Sequence, residues 1–120
     1  MKKLFYLSTC DTCKRIIKEV GLNEKEFEFQ DIKQSQISST ELELVRSHVK
    51  SYEELFNKRA RKYASEGLKE KKFTDIEWKT LILNEYTFLK RPVVVLNEEV
   101  FVGNSKKTVE ALKIALAHVE

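Results

Sequence analysis

The chain has 120 residues, 42% of them hydrophobic, and 22 basic against 19 acidic side chains give a net charge of +3. That length fits one domain able to bury roughly two-thirds of its unfolded surface without staples, and so mild a charge does not by itself imply a nucleic-acid partner, so no direct one is expected. No apolar run approaches the ~18 residues of a membrane span, and the strand-like stretch after Met1-Lys2-Lys3 is too short for a secretory core. A reducing, cytoplasmic setting without a membrane partner is therefore expected.

Residues 3–7 form an apolar run that predicts a buried strand, and in residues 11–20 Cys13, Ile16, Ile17 and Val20 recur at helical spacing. Gly21 supplies the stop. The alternation in Glu26-Phe27-Glu28-Phe29-Gln30-Asp31-Ile32 predicts a second strand, so the opening is β-α-β with a right-handed crossover between parallel neighbours. From about residue 38 to residue 89 the pattern is helical, with three Ser/Thr-x-x-Glu starts at Thr40 and Glu43, Ser51 and Glu54, and Thr74 and Glu77. These predict three or four short helices. Leu42, Val45 and Val49, then Tyr52, Leu55 and Phe56, then Trp78, Leu81 and Ile82 form their core stripes. Residues 59–66 read as helical, and Gly67 marks a break after them.

Pro92, the only proline, opens Val93-Val94-Val95-Leu96, a run expected to be a central strand buried on both faces. Asn97-Glu98-Glu99 is a turn, Val100-Phe101-Val102 pairs back and ends at Gly103, and Ser105 caps a last helix carrying Val109, Leu112, Ala115, Leu116 and Val119. The predicted fold is α/β: a mixed sheet in the order β-α-β … β-β-α, with a core of residues 1–37 and 89–120 and an all-helical insertion of about 38–88. The whole is read as a single domain, 1–120.

Chemistry concentrates at Cys10-Asp11-Thr12-Cys13, where the first strand delivers a cysteine to a helix start. Unpaired N–H groups and the positive end of the helix dipole favour a thiolate there, which makes Cys10 the candidate nucleophile. Cys13 lies one turn on and is the candidate resolving thiol. A structural disulfide between them would close too short a loop to constrain the unfolded chain. A Cys-x-x-Cys beside a β-α-β pattern reads as a thioredoxin-like redox motif. The competing reading, half a metal site, needs two more ligands, and neither His48 nor His118 has motif spacing. Both read as ordinary helix residues, so no metal is expected. Thr12 and Lys14 are candidates to support the thiolate, although Lys14 and Arg15 would also serve as solvated helix residues, and Asp11 opposes ionisation. Arg91 is either an anion-binding residue or a surface one, and its bond to Pro92 is a place where a cis peptide can be built in. The basic stretches Lys58-Arg59-Ala60-Arg61-Lys62-Tyr63 and Lys69-Glu70-Lys71-Lys72 read as a solvated face or as an anion subsite.

In combination these residues resemble the arsenate reductase-like proteins of the ArsC/Spx group over nearly the full length. The carriers are the cysteine at the end of the first strand, the Cys10-Asp11-Thr12-Cys13 form of the Spx-like branch, Phe73-Thr74-Asp75, and Leu89-Lys90-Arg91-Pro92-Val93-Val94-Val95 followed by Val102-Gly103. The resemblance implies a thioredoxin-like fold with a helical insertion, Cys10 as the redox-active residue and Pro92 as a cis-proline facing it. It also implies anion-binding roles for Arg91 and, through Asn57-Lys58-Arg59, for Arg59. The family's third arginine, near the start of the last helix, is replaced by Val102-Gly103-Asn104-Ser105, and Ser8 stands where many relatives have proline. The implied activity is that of a thiol-disulfide oxidoreductase acting on a small oxyanion or disulfide. It would bind no cofactor and would rely on glutathione with glutaredoxin, or on thioredoxin, as external reductant. The alternatives are an Spx-like redox-sensing regulator that binds RNA polymerase, and a family member that binds glutathione or a partner protein with little catalysis.

Overall fold

In the computed structural model, which describes residues 1–119, the first segment folds as the hydrophobic pattern dictates. Strand β1 (Lys2–Tyr6) leads into helix α1 (Asp11–Val20), and strand β2 (Glu28–Asp31) returns parallel to β1. β2 is shorter than its alternating pattern because Asn23 captures the approach: its side-chain oxygen accepts from the amides of Lys25 and Glu26, and its carbonyl from Phe27. Helix α1 stops where Gly21 turns left-handed at φ +78°, and the amides of Gly21 and Leu22 both donate to the Ile17 carbonyl.

Strand β3 (Val93–Leu96) runs antiparallel to β1, and β4 (Glu99–Val102) antiparallel to β3, giving the sheet order β2-β1-β3-β4. All four residues of β3 are at most 2% exposed, as expected for a central strand. Register aligns Phe29, Leu4, Val94 and Phe101 in one row across the sheet. That row packs with Ile17 and Val20 of α1 and with Leu112, Ala115 and Leu116 of helix α5 (Lys106–Ala117). An ion pair between Glu19 and Lys113 at 2.9 Å joins the two helices. Ser105 caps α5 by accepting from the Thr108 amide.

The chain divides into two compact units: Met1–Ser35 with the segment from Arg91 onward, and Gln36–Lys90. The second holds helices α2 (Ser39–Arg46), α3 (Arg61–Ser65) and α4 (Asp75–Asn84), with single 3-10 turns at Glu53–Leu55, Leu68–Glu70 and Tyr86–Phe88. Phe56, 1% exposed, is its centre, with ring centroids 4.8 Å from Trp78, 4.8 Å from Phe88 and 5.2 Å from Tyr63. Asp75, in the first turn of α4, accepts from the Tyr52 amide at 2.7 Å and from Arg46.

Three expectations for this unit change. The capping box of α2 is Ser38 with Glu41, two residues before Thr40 and Glu43. The earlier start puts Ile37 and Leu42 at the two positions of a hydrophobic staple, and both are buried. Ser51 accepts from the Glu54 amide, but the Glu54 carboxylate turns to the Lys50 amide, and no α-helix forms. Phe56 instead becomes extended to bridge Leu89, while the Lys90 amide donates to the Leu55 carbonyl. The helix expected from residue 59 begins at Arg61, because Asn57 to Ala60 form a turn closed by the Ala60 amide on the Asn57 carbonyl. The box at Thr74 and Glu77 forms as read. Among the described residues, no helix is long and apolar enough to cross a membrane.

Candidate active site

Between β1 and α1 the chain makes one tight turn, in which the Cys10 amide donates to the Leu7 carbonyl at 2.9 Å. This makes Cys10 the N-cap of α1, extended at φ −94° and ψ 112°. Its sulfur makes no full capping hydrogen bond, yet it is half-buried beside the first turn, and both cysteines are free thiols. Cys13, at the third helical position, is 0% exposed.

Arg91 reaches this place through the sheet. Phe5 of β1 pairs with Val93 of β3, so the residues before Val93 run beside the end of β1, where the cysteine turn begins. The Arg91–Pro92 peptide is cis, Pro92 is buried, and its carbonyl accepts from the Gly103 amide at 2.9 Å. The Arg91 guanidinium donates toward the Cys10 sulfur, and its Nε is shielded from solvent.

The two thiols are driven apart. Burial pushes Cys10 up, but the Cys13 amide, the Cys13 thiol and the Arg91 guanidinium, by hydrogen bond and by charge, together bring it below its ordinary value. Cys13 is pushed up to about 12, mainly by burial and further by donating to the Cys10 sulfur and by the charge there. The Leu7 amide and the Arg91 charge oppose this without cancelling it. The outer sulfur is thus the easier of the two to ionise, and as a thiolate it accepts from a protonated inner thiol. That division makes Cys10 the more nucleophilic of the two sulfurs and Cys13 the less.

The remaining sequence candidates sit as follows. Thr12 is half-buried and Lys14 exposed on α1, and neither is among the groups that set the ionisation of Cys10. Arg59 lies in the second unit, exposed, with its amide donating to Asn57 Oδ1. Of its basic neighbours, Lys58 pairs with Glu53 and Lys62 with Glu85. His48 and His118 fall just past the ends of α2 and α5, where each ring nitrogen meets the carbonyl four residues back, of Leu44 and Ile114 respectively. Among the described residues no group of three potential metal ligands occurs. Sequence reading passed over Asp31, whose carboxylate accepts from Ser8 Oγ at 2.6 Å. The signal available was the polar end of β2 together with the serine in the cysteine turn.

A four-stranded mixed sheet with two helices packed on one face, a cysteine capping the first helix and a cis-proline at the entry to the third strand define a thioredoxin-like α/β protein. The sequence model of the ArsC family matches residues 5–112, and the chain belongs to that family, whose enzymes work by thiol-based redox chemistry. Its fold is shared with an ArsC family related protein from Bacteroides fragilis, at 24% identity and a TM-score of 0.77, covering 92% of this chain and 97% of that one. An arsenate reductase from Vibrio cholerae superimposes with a TM-score of 0.76 at 12% identity, covering 92% and 96%. An arsenate reductase related protein from Brucella melitensis gives 0.66 at 21% identity, covering 92% of both chains. No curated protein sequence matches the chain.

Proposed function

We propose that this protein is a cytoplasmic thiol-disulfide oxidoreductase resembling the glutaredoxin-dependent arsenate reductases, with Cys10 as nucleophile and Cys13 as resolving thiol. The observation that supports it most is the juxtaposition of a helix-capping Cys10, the Arg91 guanidinium and a fully buried Cys13.

The Cys10 thiolate attacks the electrophilic centre of the substrate. With a disulfide, one sulfur bonds to Cys10 and the other leaves as a thiolate; with arsenate, an oxygen leaves as water and a sulfur–arsenic bond forms. Arg91 then loses its anionic sulfur neighbour and is placed to hold an oxyanion or a leaving thiolate by charge-assisted hydrogen bonds. Covalent capture of Cys10 also removes the negative charge that helps keep Cys13 protonated. Cys13 gives up its proton to the departing group and its sulfur attacks Cys10, closing Cys10–Cys13. The second bond to the substrate breaks with its electron pair, so two electrons pass from the dithiol to the substrate. Glutathione with glutaredoxin, or thioredoxin, then reopens the disulfide. In this reading Arg59 is a further anion-binding residue. Pro92 shapes the site opposite Cys10.

Trapping the covalent intermediate and weighing it by mass spectrometry tests the assignment. Cys13→Ser is expected to accumulate the adduct on Cys10, and Cys10→Ser to form none. An adduct in Cys10→Ser that is absent in Cys13→Ser reverses the roles. Arsenate-dependent oxidation of glutathione in the presence of glutaredoxin, lost in Cys10→Ser, identifies the oxyanion substrate.

A further inference from the structure

The turn that carries Cys10 is fastened to the sheet at one side chain. Ser8, half-buried, donates from Oγ to Asp31 Oδ2 at 2.6 Å, the short distance of a hydroxyl bonding to a carboxylate. Asp31 is itself held from three directions. It is the last residue of β2, paired with Tyr6; its second oxygen accepts from the Lys33 amide at 3.1 Å; and its carbonyl accepts from the amides of Gln34 and Ser35. Beside it the Ile32 amide donates to the Tyr6 carbonyl at 2.9 Å. Asp31 is therefore a rigid post, and Ser8 is the point at which the cysteine turn is tied to it. Residues 8 and 9 form the turn, and Thr9 is exposed. Without the Ser8 bond, the turn between Leu7 and Cys10 loses its side-chain tie to β2, and small backbone rotations at residues 8 and 9 swing the Cys10 sulfur.

We propose that Ser8 and Asp31 form a clamp that positions Cys10, setting the cysteine turn so that the sulfur meets both the Cys13 amide and the Arg91 guanidinium. Both are positioning residues, since neither touches the sulfur. The inference rests on Cys10 being the nucleophile, as proposed above. Because the Asp31 charge by itself opposes a nearby thiolate, positioning and plain electrostatics have opposite signs. Loss of the clamp makes the thiolate harder to form, whereas loss of the charge alone makes it easier.

The test is the pH dependence of iodoacetamide alkylation, with the labelled cysteine identified by mass spectrometry. In wild type the label is expected on Cys10. In Ser8→Ala, which changes no charge, the profile is expected to move to higher pH and the rate at pH 7 to fall about threefold to tenfold, as the thiolate fraction falls. Asp31→Ala is expected to move it the same way, the double variant no further than either single one, and Ser8→Thr, which keeps a hydroxyl, to restore it. An unmoved profile in a folded Ser8→Ala variant overturns the clamp, as does a profile moved to lower pH in Asp31→Ala or no recovery in Ser8→Thr. A wild-type label that falls first on Cys13 refutes the nucleophile assignment instead, so the two failures are told apart.

Discussion

The protonated state of Cys13 has a consequence for stability that can be measured without any substrate. Its folded-state value of about 12 stands above its ordinary 9.0, so the unfolded chain releases this proton first as pH rises. A raised acid contributes stability that is fully present below the unfolded value and lost on the way up to the folded one. The window is pH 9 to 12, and the loss is about 1 kcal/mol for the first pH unit and about 3 kcal/mol over the whole window. Cys10, lowered in the fold, acts in the opposite window: its contribution is complete above the unfolded value and fades as pH falls through the folded one. Above pH 9 the Cys10 contribution levels off, and Cys13 dominates the difference between wild type and Cys13→Ala. Lys58, Lys62, Lys79 and Lys113, all raised by carboxylate partners, titrate in both proteins and cancel from that difference. Urea unfolding at pH 8, 9 and 10 is expected to show wild type losing about 1 kcal/mol more than Cys13→Ala between the last two points. Parallel losses refute the claim that the inner thiol is held protonated, and with it the lower nucleophilicity of Cys13.

Arg91→Ala removes a charge-assisted hydrogen bond from the Cys10 sulfur and is expected to slow alkylation at pH 7 about tenfold; an unchanged rate would remove Arg91 from the thiolate. Phe56→Ala empties the centre of the second unit's aromatic cluster and is expected to cost about 3–5 kcal/mol in urea unfolding followed by the fluorescence of Trp78, with a loss under ~1 kcal/mol contradicting the packing described.

The strands and the cysteine were legible because each depends on short-range pattern. Four consecutive apolar residues after Pro92 fit only a strand covered on both sides, and an apolar run ending at Cys10 fixes where the sulfur emerges. The helix starts of the second unit were less legible, because Ser38-Ser39-Thr40 offers the same cap pattern twice in three residues. The choice is made by Ile37, whose burial with Leu42 pays only for the earlier start. At Ser51 the local signal is sound, but the pairing of Phe56 with Leu89, distant in sequence, overrides it. Cys10 and Arg91 were individually visible, while their contact depends on the register of β1 against β3. The Ser8–Asp31 bond is a contact between two ordinary polar residues, which no spacing rule brings together.

The sheet order also governs how this protein is made. β1 sits between β2, which follows it closely in the chain, and β3, which is separated from β2 by the whole of residues 36–90. During synthesis at ~5–20 residues per second, the β-α-β half is complete seconds before its second neighbour leaves the ribosome. For that interval one side of Lys2–Tyr6 is an open row of amides and carbonyls, and the Cys10 turn exists without Arg91. The Cys10 sulfur therefore acquires the Arg91 guanidinium beside it only when the last third of the chain has been added.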